Sequence, residues 1–221
     1  MRMYIAILSL STLLVACSAG ERTGNVNHAG HNMNTTAASN SSAVDHNAMG
    51  HGNAGEHADM ASSPGAASAP YELQFLDSMI VHHKGAVDMA MLAEKRAQRK
   101  EVKEIAASII YDQEKEIGKM SEWRDLWFAE KAKAVNMEFA GMSHGAGRMD
   151  LKKLESLTGQ EFDAEFVKQM ISHHEGAVEM AKDVQKRDAR KELKELAGDI
   201  IASQQPEIKQ MKGWLATWQQ Q

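Results

Sequence analysis

Ten histidines and fifteen methionines stand against a single cysteine in this chain, and they are clustered. The sharpest cluster is Met79, His82, His83 and Met89. On a helix, Met79 lies one turn from both histidines and His82 two turns from Met89, so all four can face one point. Glu116 and Met120 follow in the next segment. The arrangement recurs as Met170, His173, His174 and Met180, followed by Glu207 and Met211. Imidazole binds copper, zinc and nickel, whereas thioether sulfur selects soft ions, above all Cu(I) and Ag(I). A His/Met set with one carboxylate near it points to copper, Cu(I) ahead of Cu(II), and discriminates against zinc and magnesium. A methionine on a helix stripe is by itself ordinary core filler. The histidine pairs weigh more, because burying two adjacent imidazoles without partners is costly and both copies keep both. Glu116 and Glu207 are either ligands or acceptors for an imidazole N–H.

Two further stretches carry the same residue types. Residues 17–70 are mostly Ser, Ala, Gly and Asn, without helical or strand periodicity, and are expected to form a disordered tether. Within them lie His28, His31, Met33, His46, Met49, His51, His57 and Met60, including the H-x-x-M pairs His46/Met49 and His57/Met60. A tether has no core in which to bury methionine, so these read as metal-capture residues. The linker 132–160 adds Met137, Met142, His144 and Met149 in a Gly-rich run, expected to be another mobile His/Met site.

The remaining composition excludes several classes. One Cys cannot form an intrachain disulfide or a Cys-rich zinc site. A net charge of -5 argues against a nucleic-acid binder, whose affinity rests on neutralising phosphates. The apolar stretch Tyr4–Ala16 is short for a bilayer span, which needs about 20 residues, and fits a signal-peptide core. It ends in Leu14-Val15-Ala16-Cys17, which resembles a bacterial lipobox. Residues 1–16 are then a lipoprotein signal peptide. Cys17 becomes the lipidated N-terminus, and the protein is exported and anchored at the periplasmic face of the envelope.

The elements that must position the ligands come from a duplication. Phe75-Leu-Asp-Ser-Met79-Ile-Val-His82-His83-Lys-Gly85-Ala-Val-Asp-Met89-Ala90 aligns at a constant offset with Phe166-Val-Lys-Gln-Met170-Ile-Ser-His173-His174-Glu-Gly176-Ala-Val-Glu-Met180-Ala181. Gln113, Glu116, Ile117, Met120, Trp123 and Trp127 likewise match Gln204, Glu207, Ile208, Met211, Trp214 and Trp218. In each unit the apolar residues follow i, i+3, i+4, i+7 spacing, which predicts two helices. Asp77, Lys84 and Asp88 fall opposite the first stripe, towards water. Ile105, Ile109, Asp112, Glu116, Met120, Trp123 and Trp127 share the face of the second. The tryptophans read as the end of the core.

Breaks are expected near Arg96–Lys100 and Arg187–Arg190, and connections that short make neighbouring helices antiparallel. Neither hairpin, 71–131 or 161–221, can bury its stripe alone, so an all-α antiparallel four-helix bundle is expected. Thr158-Gly-Gln-Glu161 resembles a capping box. Pro70 suits a first turn, and Pro206 is expected to kink the last helix.

The run Met-Ile-x-His-His-x-Gly-Ala-Val-x-Met-Ala, followed by Gln-x-x-Glu-Ile-x-x-Met-x-x-Trp, resembles the bacterial domain of unknown function 305 family. CopM-type periplasmic copper-binding proteins belong to that family. The resemblance covers both units, about residues 71–130 and 161–219, and implies a ferritin-like four-helix fold and copper binding or resistance in the envelope. It carries the His–His, Met and Glu positions onto the residues above. Unit two departs from unit one in having Gln205-Pro206 where unit one has Glu114-Lys115.

The resulting expectation is a non-enzymatic lipoprotein that sequesters or delivers Cu(I) or Ag(I). Its partners are metal ions, the membrane and a cuproprotein or copper-efflux component. The alternatives are a ferritin-like di-metal oxidase, for which the chain lacks Glu-x-x-His motifs, a haem protein held by His and Met, and a metal-independent interaction module.

Overall fold

The computed structural model describes residues 61–144 and 149–218. The leader, Cys17 and the tether ligands His28, His31, Met33, His46, Met49, His51, His57 and Met60 lie outside these residues. Four long helices dominate: α1 (Tyr71–Arg96), α2 (Lys100–Phe128), α4 (Gly159–Lys186) and α5 (Lys191–Trp218), with a short α3 (Leu151–Ser156) in the linker. The breaks fall where the two stripes stop, after Arg96 and after Lys186. Among the described residues no strand occurs, and no helix is long and apolar enough to cross a membrane. The all-α bundle of two hairpins is therefore observed.

α1 packs on α2 and α4 on α5, and the hairpins meet along α1 and α4. That last pair is antiparallel, because the start of each first helix reaches the end of the other. Tyr71 Oη donates to Asp183 at 2.9 Å. At the opposite end, Asp163 accepts the backbone N–H groups of Gln98 (3.0 Å) and Arg99 (2.9 Å). Glu72 accepts the Arg190 N–H at 2.7 Å. The chain entering each second helix thus has its backbone N–H held by a carboxylate from the other hairpin, which also places negative charge at the helix start. The same arginines lie over the far tryptophans, Arg99 4.4 Å from the Trp218 ring and Arg190 4.6 Å from Trp127. This two-fold lacing joins the two hairpins into one bundle.

The interior is layered. One apolar cluster combines Phe75, Leu76 and Met79 of α1 with Met120 of α2, Met180 and Val184 of α4, and Leu193 and Ile200 of α5. The other combines Met89 and Ala93 with Ile105 and Ile109, Phe162, Phe166 and Met170, and Met211. Each fully buried side chain of this size contributes about 1.5–3 kcal/mol. Between the clusters, at the mid-length of all four helices, lies a buried polar layer of His82, His83, Gln113, His173, His174 and Gln204.

Several expectations need correction. Residues 61–70 are ordered, not part of a loose tether. Ser62 and Ser63 hydroxyls accept the N–H groups of Met137 and Val135, and Ala66 is buried. Asp77 does not face water: it is buried, accepts the Ala134 N–H at 2.7 Å and pairs with Arg124 at 3.4 Å. On α2 the buried position is Gln113, with Asp112 only half-buried. Thr158 stands at the start of α4 but forms no side-chain cap, the next residue being Gly159 in the left-handed region (φ 59°). Pro206, by contrast, lies inside α5 as its position implies, on an exposed site where water can serve the carbonyl it leaves unpaired.

The linker is packed rather than mobile where it is described. Met142 and Met149 are both buried, one in each apolar cluster. The strap crosses α4 at Gly141 (φ 85°), where a Cβ would collide with the Gly176 carbonyl, and it crosses α1 at Gly85, where a Cβ would collide with Met149. Gly85 and Gly141 are thus each needed for close approach, and Gly176, the repeat equivalent of Gly85, presents its carbonyl at the second crossing.

Candidate metal centre

His83 and Glu116 face each other across the α1–α2 hairpin, with Nε2 and Oε2 2.7 Å apart. His174 and Glu207 do the same across α4–α5 at 2.8 Å. A carboxylate only accepts, so each Nε2 carries the proton. In the neutral ring the lone pair is then on Nδ1, and both Nδ1 atoms are buried without a hydrogen-bond partner. In this structure Glu116 and Glu207 act as acceptors for the imidazole N–H. A carboxylate that holds the far nitrogen of an imidazole fixes the tautomer and raises the basicity of the metal-facing nitrogen. The histidine side chains are fully buried, while Glu116 and Glu207 keep 12% and 18% exposure. The carboxylates are where each His–Glu pair meets solvent.

His82 and His173 form a different arrangement. Their rings meet across the α1–α4 contact with centroids 3.8 Å apart. His173 Nε2–H donates to the His82 carbonyl oxygen at 2.7 Å. Both ring nitrogens of His82 are buried and without a hydrogen bond. Burial, followed by the charges of His173, His83 and His174, pushes the His82 pKa well below the ordinary imidazole value. The ring is neutral at physiological pH and holds a free lone pair. Gln113 Oε1 and both side-chain polar atoms of Gln204 are also buried and unsatisfied. Leaving such groups unpaired costs about 1–3 kcal/mol each, so a layer of this kind needs an explanation beyond packing.

Sequence reasoning did not include Gln113 and Gln204 among the candidate ligands. The signal was present, since the two match across the repeat one turn before the glutamates.

The methionines are regrouped. Met79 and Met120 share a cluster with Met180 and Met142, whereas Met89 lies with Met170, Met211 and Met149. Met89 and Met180 had been expected beside the histidines of their own repeat. Helix α1 runs past the polar layer, so Met89, two turns beyond His82, enters the opposite cluster. All eight are buried, four to each side of the histidines. His144 is separate: it is exposed, and its Nδ1 lies 2.9 Å from Glu179. The expected joint site of Met142, His144 and Met149 is not formed. Among the described residues, no three or more His, Cys, Asp or Glu side chains converge as a metal-holding group.

Comparison with known proteins fits this geometry. The model of a domain of unknown function, DUF305, matches residues 72–215. The solved structure of CopM in its Cu(II)-bound form is 41% identical, with a TM-score of 0.58, over 66% of this chain and 97% of that one. CopM in the Cu(I)-bound form is 39% identical (TM-score 0.58) over 68% and 99%. A DUF305 fragment from Deinococcus radiodurans is 31% identical (TM-score 0.60) over 67% and 97%. No curated protein matches the chain.

Proposed function

The chain belongs to the DUF305 family, and from that premise we propose that it is a copper-binding protein of the cell envelope that sequesters or hands on Cu(I), with Ag(I) as a chemical surrogate. The observation that carries the reading is the pair of buried imidazoles, His83 and His174, each with its outer nitrogen held by a glutamate and its Nδ1 facing the interior without a partner. Methionine thioethers stand on both sides of that layer. Nitrogen and sulfur donors without thiolate suit Cu(I) in an oxidising compartment, where cysteine would be consumed. CopM, similar over nearly its whole length, has been solved with Cu(I), Cu(II) and silver. Cu(II) would use the nitrogen donors and leave the thioethers aside.

The reading includes a lipid anchor at Cys17, capture of ions by the His/Met-rich tether, and a binder rather than an enzyme. Native mass spectrometry of the protein titrated with Cu(I), Ag(I) and Zn(II) tests it. Several Cu(I) or Ag(I) equivalents and weak zinc binding are expected, with equivalents lost in the His83→Gln/His174→Gln variant. One equivalent or fewer, or zinc outcompeting Cu(I), overturns it. For the anchor, Cys17→Ser should move the protein from the membrane to the soluble fraction of the envelope.

A further inference from the structure

We propose that the linker supplies Met149 as a thioether donor that shares one soft cation with His82, making a third site at the α1–α4 contact, separate from the two His–Glu pairs. This rests on the copper-binding reading above and names a donor that lies outside the duplicated units.

Three observations meet at this point. His82 is buried with neither ring nitrogen hydrogen-bonded. Its place in the fold gives it no glutamate, unlike His83 and His174, and its lone pair receives no hydrogen bond from the protein. Gly85 lies one turn beyond His82 on the same face of α1. A Cβ at Gly85 would sit 2.7 Å from Met149 Sδ and 3.8 Å from His173 Nε2, so the sulfur is seated in the space that glycine vacates, beside the His82–His173 ring pair. The linker, finally, is anchored directly after the residue that delivers this sulfur. The Asp150 N–H donates to Gln169 Oε1 at 2.8 Å, and Asp150 caps α3 through Lys153 N at 2.8 Å.

The arrangement is a soft sulfur and an imidazole whose ring nitrogens have no hydrogen-bond partner, in a buried contact between two helices, chemistry that takes a monovalent soft cation and offers nothing to magnesium or calcium. Met149 has no counterpart in the first repeat, so this site breaks the molecular two-fold. An ion there ties linker, α1 and α4 together.

Two measurements on the full chain test it. With methyl-13C methionine, Ag(I) should shift the Met149 methyl resonance in the folded protein without any substitution. In titrations, Met149→Leu and His82→Gln should each lose one Ag(I) equivalent or weaken it by about tenfold or more, and the double variant should lose no more than either alone, since both donors serve one ion. An unmoved Met149 methyl while the His83 and His174 sites load, or additive losses in the double variant, overturns this inference alone. Absence of all Ag(I) binding in the unsubstituted protein overturns it together with the copper-binding reading.

Discussion

Replacing Glu116 by Gln probes the hydrogen bond on which the His83 assignment rests. The substitution keeps shape and an acceptor oxygen but removes the charge that faces His83 Nε2 at 2.7 Å. A hydrogen bond involving an ionised group contributes about 1.5–3 kcal/mol and a neutral one about 0.5–1.5. The Glu116 side chain is only 12% exposed, so water screens this bond little. About 1 kcal/mol of stability should be lost in the metal-free protein, a drop of about 2–4 °C in melting temperature for a chain of this size. The effect on metal should be larger. Loss of an outer-shell carboxylate typically lowers affinity 10–100-fold, about 1.4–2.7 kcal/mol. Competition titration with Ag(I), alongside Glu122→Gln on the exposed face of the same helix, reads the difference. Glu207→Gln should behave alike, because His174 and Glu207 repeat the geometry at 2.8 Å. Unchanged affinity would remove the carboxylate from the site. A loss far beyond 100-fold would make Glu116 itself a ligand and refute the assignment of Nδ1 as the metal-facing atom.

Three further outcomes follow from the same structure. Acidification should destabilise the metal-free protein. The folded-state pKa of His82 is depressed by burial, so below the unfolded value of about 6.5 the unfolded chain binds the extra proton, and stability falls by up to about 1.4 kcal/mol per pH unit. Melting curves from pH 7 to 5 should show that slope, and His82→Leu should flatten it. Asp163→Ala leaves the Gln98 and Arg99 N–H groups without their buried acceptor. It should lower stability by about 1–3 kcal/mol in denaturant titration, more than Glu72→Ala, since the Asp163 side chain is fully buried and Glu72 keeps 17% exposure. Met79→Leu nearly conserves volume and should cost less than about 1.5 kcal/mol of stability. If Met79 is a ligand, the same variant loses Ag(I) affinity by about tenfold or more; unchanged affinity assigns Met79 to packing alone.

Much of the molecule was legible in one dimension because helix formation and burial are local in period. The duplication, the two stripes per unit, the breaks after Arg96 and Lys186 and the inward position of both histidine pairs all follow from spacing that any helix of these residues must obey. The glutamates were legible as residues of the site, but their role as acceptors was not, since ligand and acceptor differ by a few ångströms in three dimensions. What only tertiary structure decided is which buried faces meet. The antiparallel α1–α4 contact brings His82 against His173, places Met89 in one cluster with Met170 and Met211, and places Met180 in the other with Met79 and Met120. The path of the linker, with Arg124 of α2, turns Asp77 from a solvent residue into an anchor for residue Ala134. The linker, read as mobile from its glycines, uses Gly141 to approach α4 and lays Met149 against Gly85 of α1, carrying Met142 and Met149 into the core. Periodicity states that a side chain must be buried. The partner that buries it is chosen by shape and chain path between segments far apart in sequence, and no local pattern contains that information.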